Sequence, residues 1–231
     1  MFQNIILLFQ TEVEGLEREG VATQSFFDII VQSGTIGIII VLVQLVLSAI
    51  GIYIFVERYL NISKASRIDD NFMNNIRLNV QSGNIQGAKA LCQTTDSPVA
   101  RMVEKGLQRI GKPLRDIDAA IENVGNLEVF KLEKNLSTLA SIAGAAPMIG
   151  FLGTVTGMIL SFYQMATAEN VTPSLLAGGI YQALLTTAFG LVIGIFAYIG
   201  YNILVANVDK VVFKMERTTT EFMDLLQEPS N

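Results

Sequence analysis

Histidine is absent from this sequence, and cysteine occurs once, at Cys92. Those gaps remove the donor sets from which zinc and haem sites are built, so no metal or cofactor is expected. A lone cysteine also excludes a disulfide framework, which fits a reducing compartment. Charge is scarce as well: Asp, Glu, Lys and Arg make up 16% of the 231 residues, against about 25% in an average globular chain. The net charge of −5 argues against a nucleic-acid partner, which calls for a basic surface. The sequence offers no glycine-rich phosphate loop, metal-ligand spacing or evident nucleophile–base pair, so an enzyme is not expected.

What is present is apolar length. No charge occurs in the 28 residues between Asp28 and Glu57, the 34 between Lys134 and Glu169, or the 39 between Glu169 and Asp209. A bilayer core about 30 Å thick needs roughly 20 helical residues to cross it, so each block is long enough to span. A soluble chain of this size would have almost nothing left to cover three such helices. The expected fold is therefore an all-α integral membrane protein with three transmembrane helices and long helices extending into the cytoplasm. No cleaved secretory signal is expected, because the first apolar stretch, Ile5 to Phe9, is short and has no positive charge before it. That stretch reads as either a short interfacial helix or a disordered terminus.

Lys and Arg set the expected orientation. One lies in the N-terminal segment (Arg18), twelve lie from Arg58 to Lys134, none lies around Glu169 to Pro173, and three follow (Lys210, Lys214, Arg217). The alternation places the N-terminus outside and the C-terminus in the cytoplasm. The expected segments are a periplasmic segment over 1–33, transmembrane helices over 34–56, 136–167 and 174–206, a cytoplasmic helical loop over 57–135, a periplasmic turn over 168–173, and a cytoplasmic tail over 207–231. Arg58, Lys64 and Arg67 are most simply topology determinants; anionic lipid head groups are the alternative.

The first span is broadly apolar, with Gln44 its one strongly polar side chain, expected in a helix–helix hydrogen bond. In the loop, Gly83-Asn84, Asp96-Ser97-Pro98 and Gly111-Lys112-Pro113 mark helix boundaries. From Leu114 onward, Ile117, Ala120, Ile121, Val124, Leu127 and Leu132 fall near helical periodicity and should form one buried stripe. With no proline between Leu114 and Ala146, that helix is expected to continue straight into the second span.

The second and third spans differ from the first in kind. Pro147, Gly150, Thr154, Gly157 and Ser161 form one stripe of small and hydroxyl-bearing residues; Ala183, Thr187, Gly190, Gly194 and Ala197 form another. Gly153/Gly157 and Gly190/Gly194 have the spacing that lets helices approach closely in lipid. Tight packing accounts for the glycines, and a hydroxyl bonded back to its own helix is the plain account of a membrane threonine. The functional alternative is that Thr154, Thr186, Thr187 and Gln182, on helices joined by a short turn near Asn170, line a narrow polar path. Thr154 and Thr187 sit at similar distances from that turn.

The segments APMIGFLGTVTGMILSF (Ala146 to Phe162) and GGIYQALLTTAFGLVIGI (Gly178 to Ile195) resemble the signatures of the ExbB/TolQ/MotA proton-channel family, nearest to ExbB, then TolQ. The pair Glu57-Arg58 and the residue Glu128 are also similar to that family's pattern. MotA-type stators have a fourth span and a larger cytoplasmic domain, for which this chain has no room. The resemblance implies a homo-oligomeric ring, a pentamer, around a dimer of a single-span ExbD- or TolR-like partner. It further implies proton-driven work passed to a TonB- or TolA-like protein at the bacterial inner membrane, and it places Thr154 and Thr187 among pore-facing threonines. A passive membrane scaffold with the same small-residue packing is the competing reading.

One departure matters. ExbB proteins often carry glutamate where this chain has Gln182, and no carboxylate occurs from Asn135 to Ala168 or from Asn170 to Val208. An intramembrane proton relay needs a group that titrates near neutrality. Tyrosine, which these spans do contain at Tyr163, Tyr181, Tyr198 and Tyr201, is a phenol and not a residue type suited to that role. The proton carrier is therefore expected on the partner, with Thr154, Thr187 and Gln182 holding water or bonding that carboxylate.

Overall fold

The computed structural model of the protein describes residues 34–67, 71–168 and 173–227, and among them every regular element is an α-helix. These are α1 (Gly34–Ala65), α2 (Phe72–Gln81), α3 (Ile85–Thr94), α4 (Pro98–Leu107), α5 (Leu114–Glu133), α6 (Leu136–Thr167) and α7 (Pro173–Gln227). The expected interfacial helix at Ile5 to Phe9 and the turn around Asn170 lie outside the described residues. Three stretches are long and apolar enough to cross a membrane: Thr35–Ala65, Leu114–Thr167 and Ala177–Gln227. The chain divides into two units, one of residues 34–42 with 151–187 and one of residues 43–150 with 188–227.

The larger unit holds the loop helices, and its local chemistry explains where each starts and stops. Gly83 takes φ +74°, a left-handed conformation open to glycine, and ends α2. Asn84 then caps α3 by accepting from Gly87 N at 3.0 Å. Ser97 caps α4 by accepting from Ala100 N at 3.1 Å, and Pro98 fills the first helical position, where its missing N–H costs nothing. Phe72, Ile76, Ala88, Val99, Val103 and Ile121 from these helices share one core with Leu139 of α6. The distal part of α7 completes it through Leu204, Val208, Val211, Met215, Phe222 and Leu225, which fall at helical spacing.

Cys92 lies in this core, 3% exposed. Burial, reinforced by the charge of Glu104, pushes its thiol up to about 12. The thiolate is the reacting species, so Cys92 in the folded protein should be modified at neutral pH roughly a thousandfold more slowly than an ordinary free thiol. A thiol-exchange time course in native and denaturing conditions checks this; equal rates would refute the burial.

Two expectations are corrected here. The buried residues of α5 are Ile117, Ala120, Ile121, Gly125, Glu128 and Leu132, whereas Leu127 is 61% exposed. The helical repeat that carries Ile117, Ile121 and Leu132 inward carries Glu128 with them and leaves Leu127 on another face. Nor does α5 continue straight into α6. Lys134 leaves the helix with ψ 132°, and Asn135 takes φ +64° before α6 begins at Leu136. Asparagine is the residue after glycine that best tolerates this left-handed conformation, so neither proline nor glycine was needed for the break.

In the smaller unit, segments of α1, α6 and α7 pack through small residues. A Cβ on Gly157 would stand 2.9 Å from that of Ala183 and one on Gly153 would strike the Thr186 hydroxyl, while one on Gly179 would strike that of Ser161. These contacts step three or four residues at a time, in opposite directions along α6 and α7, as an antiparallel pair requires.

Candidate functional site

The expected stripes are present but rotated at one level. At the level of Gly153 in the smaller unit, the close contact is between Gly153 and Thr186. Removing the side chain at 153 makes room for the Thr186 hydroxyl, which donates to Ala183 O at 2.7 Å. Thr154 and Thr187 are each half-buried. Thr154 Oγ1 donates to Phe151 O at 2.7 Å, within its own helix. In the larger unit, Gly190 packs against Ala146 and Gly150, and Gly194 against the ring of Pro147. Pro147, Gly150, Gly153, Gly157, Gly190 and Gly194 each stand close to a neighbouring helix. Gln44, expected in a helix–helix contact, is 2% exposed, with its amide beside Gly190.

Next to the Gly153–Thr186 contact, α1, α6 and α7 of the smaller unit enclose a cleft of about 300 Å³. Gln182 and Thr186 line it, as do Thr156, Ser161 and Gln164; Thr154 and Thr187 do not. Thr156 and Gln164 were not anticipated, although with Leu160 they stand at i, i+4 and i+8 of one helical face, a spacing visible in the sequence. The hydroxyls of Thr156 and Ser161 donate to carbonyls of their own helix, Thr156 to Leu152 O at 2.9 Å and Ser161 to Gly157 O at 2.8 Å.

A second polar cluster sits in the loop unit. Glu128 Oε2 accepts from Arg101 Nη2 at 2.8 Å and Oε1 from Lys131 Nζ at 2.7 Å. Burial acts to raise the Glu128 pKa, but the hydrogen bonds and charges of Arg101 and Lys131 outweigh it and hold the carboxyl below its ordinary value. Arg58 is drawn inside the protein. Its guanidinium pairs with Glu57 and donates from Nη1 to Lys131 O at 3.0 Å, satisfying a carbonyl in the last turn of α5. Lys64 and Arg67 stay exposed. No cluster of three or more metal-binding side chains occurs among the described residues.

Three apolar stretches long enough to span a bilayer, two of them clasped through glycine, proline and threonine, define a multi-pass helical membrane protein. Its relatives agree. The chain belongs to the MotA/TolQ/ExbB proton channel family, whose model matches residues 94–217. It is 29% identical over 174 residues to a biopolymer transport protein ExbB homolog of Methanothermobacter thermautotrophicus, covering 74% of this chain and 62% of that one. It is 32% identical over 142 residues to the Tol-Pal system protein TolQ of Pseudomonas aeruginosa, covering 57% of this chain and 62% of that one. Over 89 residues it is 37% identical to the biopolymer transport protein exbB1 of Vibrio cholerae, covering 38% and 39%. The match thus spans less than two thirds of the length of each of these relatives.

Proposed function

We propose that this chain is the ring-forming, proton-conducting stator subunit of a motor in the bacterial inner membrane, with its N-terminus periplasmic and its C-terminus cytoplasmic. The observation that carries the reading is the glycine-packed pair α6 and α7, which has no carboxylate from Asn135 to Ala168 or from Asn170 to Val208 and has the half-buried Thr154 and Thr187 next in sequence to the contact residues Gly153 and Thr186. Such a surface can hold water or hydrogen-bond a carboxylate but cannot carry a proton at neutral pH by itself. The titrating carboxylate then belongs to a single-span ExbD- or TolR-like partner, held as a dimer inside a pentamer of this chain. Gln182 and Thr186 supply further polar contacts along the path. Lys64 and Arg67 meet anionic lipid head groups at the cytoplasmic surface, with Arg58 fixing the adjoining helix ends.

The work is delivered to a TonB-like protein that energises outer-membrane transport. Similarity to TolQ proteins favours a second reading, a Tol-Pal subunit acting through a TolA-like protein. Complementation separates them: rescue of a strain lacking ExbB supports the first, and rescue only of one lacking TolQ supports the second.

The stator reading itself is tested by Thr187→Val, which keeps the volume and removes the hydroxyl. Losing a hydrogen bond to a charged group costs about 1.5–3 kcal/mol, so coupled activity should fall roughly ten- to a hundredfold with assembly unchanged. Unaltered activity would favour a passive scaffold. Proton flux as large from this chain alone as from the complex would refute the partner's role as carrier.

A further inference from the structure

The break between α5 and α6 takes a backbone donor away from Lys131, and α1 supplies another. In a continuous α-helix Lys131 O would accept from the amide N–H of residue 135. The ψ of 132° at Lys134 swings that amide out of line, and Asn135 follows with φ +64°. Arg58 Nη1 of α1 donates to Lys131 O in its place, at 3.0 Å. The Arg58 side chain is only 8% exposed, and Glu57 pairs with the rest of its guanidinium.

The same helix also packs beyond the break. Gly51 faces the buried Leu139 and Ile142 of α6, where a Cβ would stand 3.8 Å from each side chain, at ordinary contact distance. Phe55 fits against Gly200 of α7, where a Cβ would stand 2.9 Å from its ring. Just past the end of α1, Ser66 O accepts from Lys214 Nζ of α7 at 2.9 Å. One helix is therefore bonded to α5 on one side of the break and packed on α6 on the other.

We propose that α1 is a splint across the α5–α6 break, with Arg58 as the positioning residue that pins it. Two residues outside helical conformation leave the Lys134–Asn135 joint without a continuous backbone ladder to set its angle. A guanidinium sets it instead, because its planar fork holds two acceptors in a fixed relation, which a point charge cannot do. Burial of the fork excludes the water that would otherwise compete for the Lys131 carbonyl. The functional consequence rests on the stator role proposed above. A stator subunit bears the reaction to the work done on its partner, and a joint that yields under that reaction loses the work. With the pin in place, α6 and the loop helices hold one angle under load.

Arg58→Met tests the proposal in the full chain, assembled with its partner in membranes. It removes the fork without stranding a charge, since Glu57 keeps the bond it accepts from Asn61 at 2.6 Å. Spin labels on Leu127→Cys of α5 and Met148→Cys of α6, 61% and 73% exposed, report the angle of the joint. Labelled subunits are diluted with unlabelled ones, and the buried Cys92 gives a low background. Pulsed electron spin resonance should show a narrow distance distribution with Arg58 present and a clearly broader one in Arg58→Met. Proton flux should be retained, while coupled activity falls about tenfold, the shift expected from losing one hydrogen bond to a charged group. A role in folding alone would lower flux and activity together. An unchanged distance distribution, or equal losses of flux and activity, would overturn the splint. If Arg58→Met does not assemble, Arg58→Lys carries the same test, because its ammonium reaches less far and has no fork. A distance distribution as narrow there as with arginine would overturn the pin. Absence of flux from the unmodified complex would sink the stator reading, and the distance comparison would still decide the splint.

Discussion

Arg101→Met should loosen the loop helices by about 3 kcal/mol, the largest effect expected from any single change outside the spans. Glu128 is the reason. Its side chain is only 5% exposed, and each oxygen accepts from one cation, Arg101 or Lys131. Removing one partner of a buried pair leaves an uncompensated charge and costs about 3–5 kcal/mol. The lower figure applies because Arg101 is itself 40% exposed and Lys131 would remain. The arginine's other bond, to the exposed Asp96, contributes little. Cys92 serves as the reporter, since it is buried in the core shared by α4 and α5 and reacts only when that core opens. A loss of about 3 kcal/mol should speed its modification about a hundredfold. A rate within threefold of the unmodified protein would refute the clamp. Pairing Arg101→Met with Glu128→Leu should cost less than the sum of the two single changes, because no charge is then left buried.

The same carboxylate predicts a pH dependence of definite sign. Its pKa in the folded protein lies below the ordinary value, so Glu128 contributes stability that is present at neutral pH. That contribution is lost as pH falls through the lowered folded value and the carboxylate takes up a proton. Cys92 protection, assayed by rapid quenching after acid exposure, should decline on acidification below the ordinary glutamate range. Glu128→Gln should start lower at neutral pH and decline less. An identical acid profile for the two would place the acid sensitivity elsewhere.

The helix boundaries of the loop were legible because glycine, proline and capping residues fix them locally. Gly83 and Gly111 need left-handed φ, and Ser97-Pro98 is a start signal wherever it occurs. The burial of Glu128 was not legible. It depends on Arg101, 27 residues away in sequence, reaching the same point in space. The break at Asn135 escaped for another reason: asparagine permits a left-handed residue without requiring one, so the surrounding packing decides. In the spans, the small-residue spacing identified the facing sides of α6 and α7, but two adjacent positions compete for the contact at one level. Gly153 wins it over Thr154 because only a residue without a side chain accepts the Thr186 hydroxyl. Thr154 is left half-buried beside that contact, its hydroxyl donating to Phe151 O.

The glycines that create this arrangement should be far less replaceable than their number suggests, and Gly190→Leu should abolish folding of the hairpin. A Cβ at 190 would stand 2.5 Å from Ala146 O, 3.1 Å from Gly150 Cα and 2.9 Å from Gln44 Nε2. The first two are backbone atoms and cannot rotate aside, so α6 and α7 would have to separate. Overpacking of a close-packed site costs about 1–3 kcal/mol for added methylenes and more when the backbone must move. Association in lipid has no hydrophobic force to offset such a loss. Gly194→Leu should behave similarly, since its Cβ would meet the Pro147 ring at 2.5 Å and Ala143 O at 3.0 Å. The control is Gly144→Leu on α6, where a Cβ would meet nothing within 4 Å. That variant gains helix propensity of up to about 1 kcal/mol and should purify as a normal assembly. Size-exclusion elution in mild detergent distinguishes the three. Normal elution of Gly190→Leu would mean that the close approach at Gly150 is not needed.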